Sequence, residues 1–148
     1  MNIAVIGGGA AGFMAAITAR ECNTKTSVTI LEKSDKVLTK VKVSGGGRCN
    51  VTNATFSISQ LIKNYPRGGK QLKKSFSHFY TADTVEWFKR KGVLLKTEAD
   101  NRMFPVSNSS QTIVDLLLNT AKDLNIKISY KSRVSNIDLK DDKFNLMV

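Results

Sequence analysis

The spacing of apolar and polar residues changes several times along this chain, and each change marks an element. Asn2 to Ile6 (NIAVI) is a short, nearly continuous apolar run, which predicts a buried strand. It leads straight into Gly7-Gly8-Gly9-Ala10-Ala11-Gly12. From Ala10 to Glu21, Phe13, Ala16, Ile17 and Arg20 recur at helical intervals, so a helix follows. Ser27 to Leu31 is rich in Val, Thr and Ile and predicts a second strand, ending at Glu32. Strand, helix and strand in this order open a parallel βαβ unit.

Beyond Glu32 the pattern weakens. Lys33 to Asn53 reads as mostly irregular around Ser44 to Cys49, and short helices are expected near Ser59 to Asn64 and Lys70 to Phe79. Thr81 to Lys91 is a clearer helix. Val85, Trp87 and Phe88 give it a bulky apolar side, Asp83 and Glu86 have capping-box spacing, and Gly92 stops it. Val93 to Lys96 predicts a strand, and Glu98 to Pro105 a turn followed by an extended segment. In the helix expected over Gln111 to Leu124, Ile113, Leu116, Leu117, Ala121 and Leu124 repeat at three and four, and Asn125 suits its end. Ile126 to Tyr130, Val134 to Leu139 and Phe144 to Val148 read as strands, with Asp141-Asp142 turning between the last two.

The first glycine cluster carries chemistry. Gly7, Gly9 and Gly12 match G-x-G-x-x-G, between a strand and a helix. In that motif the first glycine permits a tight turn, the second lets backbone approach a pyrophosphate, and the third lets helix and strand pack closely. Ala10 and Ala11 open the helix whose amides would face the phosphates. Glu32 closes the next strand, 20 residues after Gly12, with Lys33 beside it; a carboxylate there accepts from ribose hydroxyls and repels a 2′-phosphate. FAD or NAD(H) is therefore expected in preference to NADP(H). The residues by themselves do not separate FAD from NAD, and none of them stands out as a catalytic acid or base.

Length and composition narrow the reading. The 148 residues suit one ordinary domain. No apolar run approaches the roughly 20 residues of a membrane span, and the N-terminal run is cut by glycines with no basic segment ahead of it, so no secretory leader is expected. Cys22 and Cys49 have no paired spacing, and His78 is the only histidine, so no metal site is expected and a reducing, cytoplasmic compartment is. His78 reads as a surface or packing residue, and Trp87 and Phe88 as core. The formal charge of +11 is unevenly spread: ten basic residues fall between Lys33 and Lys74 against one acid, Asp35. Such a field suits phosphate or nucleic acid.

A second glycine cluster, Ser44-Gly45-Gly46-Gly47-Arg48-Cys49-Asn50, has no strand-to-helix setting. Three glycines let backbone lie against a flat or charged ligand, and their amides can form an anion nest. Arg48 could pair with a phosphate, and Asn50 could bond a polar edge or cap the loop. Cys49 reads as a packed structural thiol.

On IAVIGGGAAG, LTKVKVSGGGRCNVTN, YPRGGKQLKKSF, TADTVEWFKRKGVLLKTEADNRMFPVS and SSQTIVDLL, the chain resembles the bacterial BaiN-like and YhiN-like flavoproteins, the HI0933-like or aminoacetone oxidase family FAD-binding enzymes, over nearly its whole length. The resemblance implies an α/β fold: a Rossmann-like FAD-binding unit with the start of an inserted α+β domain, part of a two-dinucleotide-binding-domain type of flavoprotein. It implies that residues 1–79 are the first part of the FAD domain and 80–148 part of the inserted one, and that the chain is the N-terminal piece of a longer protein whose distal part is its partner. It assigns Gly7, Gly9, Gly12 and Glu32 to the pyrophosphate and ribose, Lys40 and Ser44 to Asn50 to the flavin side, and Arg102 to Pro105 to a second family block. The implied activity is an FAD-dependent oxidoreductase linked to NAD(P)H and acting on a small organic substrate.

Two other function classes stay in view. One is a nucleic-acid-binding module using Lys63, Arg67, Lys70, Lys73 and Lys74 near Tyr65 and Phe76. The other is a dinucleotide-binding protein without turnover.

Overall fold

The computed structural model describes residues 1–148. The chain forms two compact units: residues 1–42 with 114–148, and residues 43–113.

The first unit is built on a parallel sheet. Strand β1 (Asn2–Ile6) pairs with β2 (Ser27–Leu31) in register from Asn2↔Ser27 to Ile6↔Leu31. Helix α1 (Ala10–Cys22) crosses between them and buries Phe13, Ala16 and Ile17 against Val28 and Ile30 of β2 and its surroundings. The segment α2 (Thr39–Gly47) begins in this unit and loses helical backbone geometry from Ser44, and helix α6 (Ser110–Asp123) ends in this unit. The C-terminal end of α6 stops where Asn125 takes a left-handed φ of 54° and the Ile126 amide returns to the Ala121 carbonyl. The chain then enters β6 (Lys127–Ser129), parallel to β2, giving the order β1-β2-β6. Arg20 of α1 donates from Nε to the Leu124 carbonyl at 2.9 Å, satisfying a group the helix end leaves unpaired. Strands β7 (Asn136–Lys140) and β8 (Lys143–Met147) form an exposed hairpin through Asp141 and Asp142, both left-handed. An open cleft of about 970 Å³ runs between β1 and the hairpin, lined by Ile3, Ile6, Ile137 and Phe144 and by the polar Thr29 and Lys143.

The second unit holds an antiparallel sheet of order β3-β5-β4, from β3 (Thr52–Asn53), β4 (Leu95–Thr97) and β5 (Arg102–Pro105). Helix α5 (Thr81–Arg90) lies with it, and buries Trp87 and Phe88 edge to face with ring centroids 5.0 Å apart. Asp83 is the third residue of α5 rather than its cap: its carboxylate accepts the Tyr80 amide at 3.0 Å. Gly92, at φ 84°, ends the helix as expected. Helix α3 (Ile58–Leu61), a single 3₁₀ turn (Ile62–Asn64) and α4 (Gly69–Phe76) complete the unit.

Two pairings hold the units together internally. Thr81 donates from Oγ1 to the Thr55 carbonyl at 2.7 Å inside the second unit. β6 extends the parallel sheet of the first unit beside β2, with α6 leading into it as a parallel crossover requires.

Candidate functional site

In the first unit, Gly7 leaves β1 at φ 105° and its amide donates to the Leu31 carbonyl at 2.8 Å. A Cβ on Gly12 would overlap the Gly7 carbonyl oxygen, so α1 approaches the strand exit as only a glycine allows. Gly9, the N-cap of α1, faces open space: no atom lies within 4 Å of where its Cβ would be. Ala10 and Ala11 follow, exposed, at the helix start. The three fingerprint glycines thus differ in task. Two are set by the fold, and Gly9 leaves room for something to approach.

Glu32 is brought to this turn from the end of β2. Its Oε2 accepts the Gly8 amide at 2.8 Å. Its Oε1 accepts the Ser34 amide, and the Ser34 hydroxyl lies 2.9 Å from the same oxygen. That hydroxyl is also 2.7 Å from the Lys36 carbonyl; with one proton, it donates to one oxygen at a time. The Gly8 amide, then the Ser34 amide, hold the Glu32 carboxyl below its ordinary value, outweighing the opposing effect of burial. The carboxylate is therefore ionised, fixed in direction, and able to release its hydroxyl donor to another. Lys33 and Lys40 lie exposed in the same unit.

Sequence reasoning passed over Gly8 because it occupies a variable position of the motif. A Cβ there would stand 2.5 Å from Val37 Cγ1 and 3.2 Å from Glu32 Oε2, and its carbonyl accepts the Leu38 amide at 2.8 Å. Ser34, two residues after Glu32, was also missed; a hydroxyl at that offset is a known local partner for a carboxylate.

In the second unit, the loop expected to be irregular has a definite form. After Ser44, which is extended at ψ 148°, Gly45, Gly46 and Gly47 take φ of 56°, 67° and 84° in succession. A left-handed run of this kind is open to glycine and costly for other residues. Gly45 is also packed: its Cβ would stand 2.9 Å from the Asn50 amide nitrogen and 2.9 Å from Phe104 Cε1. Gly46 and Gly47 have nothing within 4 Å of theirs, and both residues are exposed. Cys49 is buried, free and left-handed at φ 61°. The Asn50 side-chain amide, in the orientation that satisfies its neighbours, donates to the Thr52 and Met103 carbonyls at 3.0 and 3.2 Å, and so fastens the loop to β3 and β5.

Arg48 is not free for a phosphate. Its Nη1 is 2.5 Å from Glu98 Oε1, and its guanidinium carbon lies 4.1 Å from the Phe104 ring centroid. Arg102 stands 5.5 Å from the same ring and is bonded to Asp100 at 2.6 Å. The Arg102 to Pro105 block therefore anchors the loop from beneath through the fully buried Phe104. Glu98 had no signal in the sequence, since its partner lies 50 residues away. His78 and Cys22 lie exposed.

The chain matches the family described as HI0933-like protein Rossmann domain over residues 1–148. It is 30% identical over 143 residues to the 3-dehydro-bile acid delta(4,6)-reductase of Clostridium scindens, and 25% identical over 142 residues to the ribosomal RNA dihydrouridine synthase of Escherichia coli. These alignments take in 97% and 96% of this chain but 34% of each relative, so the chain spans about a third of their length. Among solved structures it resembles THI4 of Thermovibrio ammonificans, with a TM-score of 0.60 and 10% identity over 98% of this chain and 45% of that one. It also resembles the Diels-Alderase PyrE3, with a TM-score of 0.52 and 14% identity over 98% of this chain and 28% of that one. At such identities these two likenesses concern the fold alone.

Proposed function

The chain belongs to the HI0933-like family, and we propose that it carries the adenosine-diphosphate site of an FAD-dependent oxidoreductase. The observation that carries this reading is the union of Gly7–Gly12 with Glu32: a carboxylate anchored on the Gly8 amide, beside a helix start that Gly9 leaves open. In this role the α1 amides face the pyrophosphate, Glu32 accepts a ribose hydroxyl in exchange for that of Ser34, and its charge turns away a 2′-phosphate. For the second loop the proposed role is to face the flavin or another anion. Its support is the exposed left-handed backbone of Gly46 and Gly47, with nothing packed over either residue.

FAD, when bound, supplies hydride chemistry; the protein holds and orients it. The names of the two relatives suggest a common substrate class for the whole protein, a carbon–carbon double bond conjugated to a carbonyl. Both a 3-oxo steroid and a uracil ring fit that description. The net reaction adds a hydride to the β carbon and a proton to the α carbon, with NAD(P)H as the source of electrons. No residue of this chain is assigned as the proton donor.

The test is an absorbance spectrum of the purified protein, with any cofactor released by denaturation and identified by mass. Flavin bands and a mass of FAD support the reading. A colourless protein that takes up no FAD on reconstitution overturns it.

A further inference from the structure

We propose that the outer face of α4, with the turn that precedes it, is a docking surface for single-stranded RNA. No Asp or Glu occurs between Asp35 and Asp83. Within that stretch Lys63, Arg67, Lys70, Lys73 and Lys74 are all exposed, and none forms an ion pair. Lys70, Lys73, Lys74 and Ser77 follow one another at i, i+3, i+4 and i+7, which puts them on one side of the helix axis. The other side, with Gly69, Leu72 and Phe76, is half-buried.

A solvated surface helix commonly mixes charges of both signs, which support each other along the helix. Here like charges stand at i, i+3 and i+4 with no acid to relieve them, and Lys70 sits in the first turn, where the helix dipole disfavours a cation. The helix therefore bears a repulsion that a polyanion would remove. Its apolar residues face inward, so it offers no apolar face to a bilayer. What it does offer is an aromatic ring: Tyr65 is 42% exposed, lies two residues from Arg67, and is braced by Phe76 at a centroid distance of 5.7 Å. Lysines along one line with an exposed ring and an arginine beside them suit a strand whose bases are unpaired and free to stack.

This surface is argued independently of the cofactor, and its test needs no turnover. Binding of the full-length, cofactor-loaded protein to a labelled single-stranded RNA is followed by fluorescence anisotropy between about 50 and 200 mM salt. Three forms are compared: unaltered, K70E/K73E/K74E, and the control K25E/K127E/K140E, which changes exposed lysines of the other unit. Losing three phosphate contacts lowers the logarithmic salt slope by about 2 and weakens binding by about tenfold or more, while the control retains most of both. If the reversed helix does not fold, K70Q/K73Q/K74Q removes the charge at nearly constant size and carries the same comparison. Absence of RNA binding, equal losses in the stripe and control variants, or equally tight stripe-dependent binding to phosphatidylserine vesicles or poly-glutamate overturns the proposal. Loss of flavin with RNA binding intact would count against the redox reading alone.

Discussion

The Glu32 carboxylate accepts the Gly8 backbone amide at 2.8 Å, across 24 residues of sequence. One bond therefore ties the end of β2 to the glycine turn after β1, and the acid is aimed before any ligand arrives. Because Glu32 is ionised more readily in the folded protein than in the unfolded chain, its contribution has a defined sign with pH. The stability it adds is present above the unfolded value of about 4.5 and is lost as pH falls through the lower folded value. Glu32→Gln should flatten that acid limb and cost about 1 kcal/mol at neutral pH, the site being partly exposed. Urea unfolding of both forms between pH 3 and pH 7 checks this; parallel pH profiles would contradict it.

The glycines of the first turn should not be equivalent. Gly12→Ala forces a methyl onto the Gly7 carbonyl oxygen and should destabilise the first unit by more than about 2 kcal/mol. Gly9→Ala, with no neighbour to meet, should leave stability nearly unchanged and weaken dinucleotide binding instead. Thermal melts paired with ligand titration separate the two effects.

In the second loop the same comparison runs between adjacent positions. Gly46→Ala meets only the left-handed backbone and should cost about 1–2 kcal/mol. Gly45→Ala adds contacts with the Asn50 amide and the Phe104 ring and should cost more. Equal melting temperatures for the two variants would show that the loop is not held against Phe104.

Arg48 acts here as an anchor. Its ion pair with Glu98 is about a third exposed on each side, so the pair is worth little by itself, and the stack on Phe104 adds about 0.5–1 kcal/mol. Arg48→Lys keeps the charge and loses the flat guanidinium, and should behave more like Arg48→Ala than like the parent. A lysine variant as stable as the parent would contradict this.

What could be read in the sequence follows from range. β1, α1 and β2 were legible to within a residue, because periodicity and the glycine motif are local signals. So were the ends of α5 at Gly92 and α6 at Asn125, where a left-handed residue closes each helix. The left-handed run Gly45–Gly47 lay in a stretch read as irregular, since glycine permits many conformations and only the packing on Phe104 and Asn50 selects one. β6 was legible as a strand but not as a neighbour of β2, because parallel pairing is set by a crossover and not by the strand's own residues. Glu32 announced itself by its offset from Gly12. Its partner Gly8, and the Glu98 that holds Arg48, are long-range contacts with no pattern in the sequence.

The most direct measurement is a titration of the protein and its Glu32→Gln variant with FAD and with FMN, followed by flavin fluorescence. FMN lacks the adenosine ribose that Glu32 is proposed to hold. The account predicts that FAD binds the unaltered protein and is weakened about tenfold in the variant, while FMN binds both forms alike. FAD affinity that is the same in both forms would contradict it, because Glu32 would then be a structural brace for the Gly8 turn and not a ligand for the cofactor.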